Sequence, residues 1–203
     1  MTLLILPILL LTGCREQKSE SKAQMAIEEE KDREVEQDAW ITLFDGTSMD
    51  AWKGYGSDSV PEYWSIQEGA MIFSPPEDRP EGESYNLVSR QEFGDFVLSL
   101  EWRISEGGNS GIFWGVFEDP KFGQPYQTGP EIQVLDNLRH SDAKNGTTHQ
   151  AGALYDMVAP SSDLTRPAGE WNHFLITVDY GAGQGKVEMN GEEILTFPLG
   201  DAA

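Results

Sequence analysis

The segment that most constrains this chain is residues 96–104, Phe-Val-Leu-Ser-Leu-Glu-Trp-Arg-Ile. Positions 96, 98, 100, 102 and 104 are apolar, and 99, 101 and 103 are polar. In an extended chain successive side chains point to opposite faces, so this alternation predicts a strand with one buried and one wet face. Residues 174–179 are β-branched and apolar, and residues 112–117 and 131–135 read as further strands. Residues 186–197 carry Asn190-Gly191 between two short apolar runs. That pair predicts a type I′ hairpin, because both residues accept positive φ. No long helical period follows residue 40, and most of the 21 Gly and 11 Pro lie beyond it. Short strands punctuated by turn residues predict an all-β sandwich or barrel. Six Trp and nine Phe supply bulk for its core.

The first forty residues follow a different logic. Residues 3–11 are apolar throughout, too short a run to span a bilayer and of the length of a signal-peptide core. The run ends in Leu11-Thr12-Gly13-Cys14, which resembles the lipobox of bacterial lipoproteins. Its small residues before the cysteine give a peptidase access to the backbone. No Lys or Arg precedes the apolar run, a departure from the usual signal peptide. Cys14 is the chain's single cysteine, so an internal disulfide is ruled out and lipidation is the expected role. Residues 14–39 are polar, charged and free of aromatics, a composition suited to a tether rather than a core. The expected organisation is a signal peptide over 1–13, a lipidated tether over 14–39 and a β domain over 40–203. The protein is expected in the bacterial cell envelope, held to the membrane through its lipid only. A formal charge of −21 argues against a nucleic acid partner.

Within the domain, an ordered set of short motifs is specific. It runs Leu43-Phe44-Asp45-Gly46, Trp52, Trp64, Gly69, Leu87-Val88-Ser89, Phe93-Gly94-Asp95-Phe96 and Glu101. It continues through Gly107-Gly108-Asn109-Ser110-Gly111-Ile112, residues 131–137 (Glu-Ile-Gln-Val-Leu-Asp-Asn), Gly152-Ala153-Leu154-Tyr155, residues 167–172 (Pro-Ala-Gly-Glu-Trp-Asn) and Asn190-Gly191. In order and spacing these resemble the 3-keto-disaccharide hydrolase family, also described as 3-keto-glucoside lyase/hydratase. The resemblance implies a concanavalin-A-like lectin/glucanase jelly-roll sandwich. Family members usually continue after the hairpin with a Gly-x-Ile-Gly-Leu-Gln-x-His-Gly segment and a final strand. The chain stops at Ala203 before either, so a sandwich lacking its last strands is expected.

The resemblance also implies a substrate, a glycoside oxidised at C3 of one sugar. The ketone acidifies the hydrogen on C2. Proton abstraction, elimination of the group on C1 and addition of water then sum to hydrolysis. Such a route needs a base near C2 and a proton donor for the leaving oxygen.

Glu131 and Gln133 lie two apart on one strand and share a face, opposite Ile132 and Val134. The polar pair is expected to look into the wet, concave side of the sandwich. Glu131 is the first choice for the base or a substrate ligand, against the plain reading of a solvated strand residue. Gln133 is a candidate substrate contact. Asp136 and Asn137 at the strand end are candidate ligands of sugar hydroxyls, although Asp-Asn is also a common turn pair. Of the three histidines, His149 precedes the Gly-Ala-Leu-Tyr motif in a polar loop and suits acid/base work. His140 is a weaker candidate, and His173 reads as structural.

Arg90 is a candidate ligand for the keto oxygen. Glu101, sharing a wet face with Arg103, is equally a cross-strand charge partner. Asn109 and Ser110 follow two glycines and are candidates for the cleft lining. Tyr155 and Trp114 are candidate sugar contacts, with Trp52, Trp64, Trp102 and Trp171 assigned to the core. No cofactor motif, zinc-like Cys/His cluster or phosphate-binding loop is present, and a divalent cation on this acidic domain stays open. A retaining glucanase on the same fold would need a second carboxylate at 133 or 135, where Gln133 and Leu135 stand. A non-catalytic sugar-binding module remains the competing reading, because fold alone does not separate it from an enzyme.

Overall fold

The computed structural model describes residues 40–78 and 83–200. Cys14, the signal segment and the tether lie outside the described residues. Among those residues no helix is long and apolar enough to cross a membrane. The chain divides into Met1–Leu43 and Phe44–Ala203. Of the first unit only residues 40–43 are described, and they form no strand.

The second unit is all-β. Its strands, in chain order, are β1 (Trp52–Gly54), β2 (Trp64–Gln67), β3 (Ala70–Phe73), β4 (Leu87–Ser89) and β5 (Phe96–Trp102). They continue with β6 (Asn109–Phe113), β7 (Glu131–Leu135), β8 (Asn172–Asp179), β9 (Gln184–Met189) and β10 (Glu192–Pro198). Four of them make an antiparallel sheet in the order β10-β9-β8-β5. β6 and β7 form a second antiparallel pair, and β1–β4 and β2–β3 two more.

The core lies between the four-stranded sheet and β7. Phe174, Ile176 and Val178 of β8 alternate with half-exposed residues and meet Val187 and Met189 of β9. A register shift between Glu193 and Leu195 turns both Ile194 and Leu195 inward. Ile132, Val134 and Leu135 of β7 close the other side. This is the all-β sandwich expected from the period-two pattern, in the jelly-roll class that the family resemblance implies.

The Asn-Gly turn forms as predicted, with Asn190 at φ 53° and Gly191 at φ 90°. The Asn190 side chain also ties the hairpin down. Its Oδ1 accepts the His173 amide at 2.9 Å, and its Nδ2 donates to the Leu164 carbonyl at 2.8 Å and to Asn172 Oδ1 at 3.0 Å. Several boundaries differ from expectation: β5 ends at Trp102 rather than 104, and β8 begins at Asn172 rather than 174. β6 begins at Asn109 and ends at Phe113, not over residues 112–117, and Gly115 at φ 61° interrupts the extended run. Asn109 and Ser110 are therefore strand residues, paired with Leu135 and Val134.

Candidate active site

β7 is bonded on both edges. β6 pairs on one side, with Phe113 opposite Glu131 and Gly111 opposite Gln133. On the other side residues 152–155 run alongside it as an irregular strand. Gln133 N donates to Ala153 O at 3.0 Å, Gly152 N to Gln133 O at 2.8 Å and Tyr155 N to Glu131 O at 2.9 Å. This pairing places Tyr155 beside Glu131. Gly152, at φ 85°, is required there, because a Cβ would collide with the buried side chains of Ile194 and Met189.

Residues 140–149 bring the remaining groups. A 3-10 turn over Ser141–Asn145 is opened by His140, whose Nδ1 accepts the Asp142 amide at 3.1 Å. A second covers Thr147–His149. Together they set Asp142 between three donors. Tyr155 Oη donates to Asp142 Oδ2 at 2.9 Å, Asn145 Nδ2 donates to Oδ1 at 2.8 Å, and His149 Nδ1 stands 3.2 Å from Oδ1. The His149 and Tyr155 rings meet edge-on, with centroids 4.7 Å apart. The outer nitrogen of His149, Nε2, lies 3.3 Å from Asp156 Oδ1. Asp156 is held at φ 58°, a conformation uncommon for a residue with a side chain.

The electrostatics of this cluster follow from its burial. Burial, reinforced by repulsion from Asp142, pushes the Glu131 carboxyl from 4.5 up to about 7. Burial would raise Asp142 as well. The bonds from Asn145, Tyr155 and His149 outweigh it and hold Asp142 below the usual carboxylate range. The Tyr155 hydroxyl is pushed up to about 12, by burial first and then by its bond to Asp142. Tyr155 is thus a neutral donor, Asp142 a carboxylate, and Glu131 an acid poised near neutrality. Two neighbouring carboxyl groups with opposite displacements are an arrangement capable of proton transfer.

Of the residues singled out from sequence, the structure brings Glu131, His149 and Tyr155 into this one cluster. Asp142, its hub, had no motif to mark it; its only signal was a carboxylate seven residues before His149 in a glycine-bearing loop. Asp156 was likewise unmarked.

Several expectations are corrected. Gln133 does not face a wet cleft: it is 1% exposed, and its Oε1 accepts the Val134 amide at 3.0 Å. Glu131, on the same face, is half-buried. Asp136, 3% exposed, is consumed in fixing the turn before β6. It accepts the Gly107 amide at 2.8 Å and the Leu138 amide at 3.1 Å. Those bonds, the Gly107 amide foremost, hold its carboxyl below the ordinary value against the effect of burial. Asn137 is also spent internally, on the Ala151 amide at 2.8 Å and the Thr165 hydroxyl at 3.3 Å. Trp114 is not a sugar platform but a core residue, its ring 5.5 Å from that of Phe197. Trp171, assigned to the core, is instead 39% exposed with Arg103 stacked over its ring.

Arg90 Nη2 donates to the Asp58 carbonyl at 2.8 Å. Glu101 is exposed and stands opposite His173, whose Nε2 lies 2.9 Å from Ser99 Oγ. Asn109 and Ser110 are exposed on β6. Among the described residues, no group of three or more His, Cys, Asp and Glu is placed to hold a metal ion. No Lys or Arg among them is paired with Glu131, Asp142 or Asp156.

Comparison with known proteins agrees with this fold and motif order. A curated 3-keto-disaccharide hydrolase of Bacteroides thetaiotaomicron is 38% identical over 180 residues, covering 81% of this chain and 60% of that protein. The chain thus spans less than two thirds of that relative. A solved structure from Parabacteroides distasonis ATCC 8503, provisionally named a glycosyl hydrolase, superposes with a TM-score of 0.72 at 26% identity, covering 83% of this chain and 76% of that one. A second from the same organism, similarly named, shares the fold with a TM-score of 0.54 at 22% identity over 72% of each chain. The sequence model described as 3-keto-alpha-glucoside-1,2-lyase-like domain matches residues 39–203, and the chain belongs to that family.

Proposed function

We propose that this domain cleaves 3-keto-glycosides, with Glu131 as the base that removes the C2 proton. The observation that carries the reading is a half-buried carboxyl pushed up to about 7, set beside a linked Asp142–His149–Tyr155 network. A general base is most effective when its pKa lies near the working pH. The relative named 3-keto-disaccharide hydrolase and the family match supply the substrate class.

The step balances as follows. The C2–H bond breaks and its proton passes to the Glu131 carboxylate. The electron pair forms the enolate of the C3 ketone and then the C1–C2 double bond as the C1–O bond breaks. The departing oxygen takes a proton from His149. Water then adds across the double bond: its oxygen bonds C1, one of its protons returns to His149, and the proton held by Glu131 goes back to C2, so the sum is hydrolysis. Asp142 orients His149 through Nδ1, leaving Nε2 to face the substrate once Asp156 yields. Tyr155 keeps Asp142 in place.

The supporting test compares 3-keto-trehalose with trehalose as substrates of the full chain. Cleavage of the keto sugar alone is expected. Equal cleavage of both sugars would overturn the elimination route, and binding of both without cleavage would leave a sugar-binding module. Glu131→Gln should lose turnover, and full activity in that variant would remove Glu131 from the role of base. We also propose that a lipid on Cys14 holds the protein in the cell envelope. Radiolabelled palmitate incorporated into the wild type but not into Cys14→Ser is the expected result.

A further inference from the structure

Gly111 lies in the middle of β6, where glycine weakens a strand and has no side chain to pack. Its φ is not in the left-handed region, so the backbone does not demand glycine there. The demand is spatial. A Cβ built on Gly111 would overlap Glu131 Oε1 and lie 2.5 Å from Glu131 Cδ and 2.6 Å from its Cγ. The three nearest atoms all belong to that one side chain. The register explains why: Gly111 is paired with Gln133, so Glu131 is its diagonal neighbour on the same face.

We propose that Gly111 is a positioning residue for Glu131, its missing side chain being the space across which the Glu131 carboxyl lies. Laid against the β6 backbone at Gly111, the half-buried carboxyl is shielded from water on that side. No titratable side chain reaches it from β6, whose other residues are Asn109, Ser110, Ile112 and Phe113. Asp142 and Tyr155 face it from the opposite edge of β7. Gly111 therefore governs the desolvation that sets the protonation of Glu131, while Asp142 adds repulsion. The catalytic consequence rests on Glu131 being the base, whereas the geometric one does not.

The test is Gly111→Ala, read by two independent measurements. The first is the titration of the Glu131 carboxyl carbon by NMR, assigned through its loss in Glu131→Gln. It is expected to fall from about 7 in the wild type toward 4.5 in Gly111→Ala, as the side chain swings into water. The second is kinetics on the keto sugar. The kcat is expected to fall by roughly 100-fold with KM changed by less than about threefold, and the acid limb of kcat/KM is expected to move to lower pH. An unchanged carboxyl titration in Gly111→Ala overturns the proposal, whatever the activity. If the titration moves while Glu131→Gln stays active, the positioning holds and the reading of Glu131 as base fails.

Stability closes the remaining route of escape. The double variant Gly111→Ala/Glu131→Ala removes the colliding side chain and should be as stable as Glu131→Ala alone. If Gly111→Ala fails to fold but the double variant folds, the proposal is supported. If both fail to fold, the obstacle is not Glu131 and the proposal is overturned.

Discussion

Replacing Glu131 by Gln tests the burial of this carboxyl without any substrate. Gln keeps the shape of the side chain and removes its ionisation. Because the folded-state value is raised, the folded protein holds the proton that the unfolded chain releases. Below about 4.5 both states are protonated and Glu131 costs nothing. Between 4.5 and about 7 the unfolded chain ionises while the folded protein does not, so stability falls as pH rises. Above about 7 the penalty is complete. At about 1.4 kcal/mol for each pH unit, the rise amounts to on the order of 3 kcal/mol, and residual solvent contact reduces it to ~2 kcal/mol. Urea unfolding of wild type and Glu131→Gln at a series of pH values measures the difference directly, since all other titrating groups are common to both. The variant should match the wild type at pH 4 and exceed it by ~2 kcal/mol at pH 8. A difference that is flat from pH 4 to 8 would refute the argument that burial displaces this carboxyl.

Asp142→Asn should lower kcat/KM by roughly 100-fold, because it loosens both His149 and Tyr155. It should also move the acid limb only part of the way down from about 7, because burial, the larger cause, remains. In the wild type Asp142 adds stability above the usual carboxylate range that is lost as pH falls, so this variant should also flatten acid unfolding. Asn190→Ala loses three hydrogen bonds and a residue tolerant of positive φ, and urea unfolding should show a loss of ~3 kcal/mol. Asn190→Gly should recover only the backbone share. Trp114→Ala should cost ~3–5 kcal/mol in the same assay, as a core cavity, whereas Trp171→Ala should cost no more than ~1 kcal/mol.

The sandwich was legible because period two is a local property. β5 and the Asn190-Gly191 hairpin each announce themselves within a dozen residues, and β7 was read with both of its boundaries. The partition of the β7 face into wet and dry was not legible. Polarity at 131 and 133 says that these side chains are not apolar; it does not say whether water or a folded loop covers them. Residues 152–155 pair along the free edge of β7, and they contain no periodicity that would announce a strand. Trp114 and Trp171 exchanged places for a related reason: both flank a strand end, where alternation no longer fixes the side that faces inward.

The same division of labour accounts for the chemistry. The position of Glu131 is fixed by ladder bonds on both edges of β7, which depend on the sandwich as a whole. Its protonation is shifted by burial, to which the bare Gly111 beside it on β6 is proposed to contribute, and by the Asp142 carboxylate on a 3-10 turn. Substitutions in residues 140–156 can therefore retune proton transfer while the strands and their registers stay as they are. Substitutions in the β7 ladder act on Glu131 and on its neighbour Tyr155 together. The candidate site thus joins a strand residue, Glu131, to loop residues that the ladder does not place. The motif order that marks the family runs through strands and turns alike, while the hub of its candidate site lies in a loop that carries no motif.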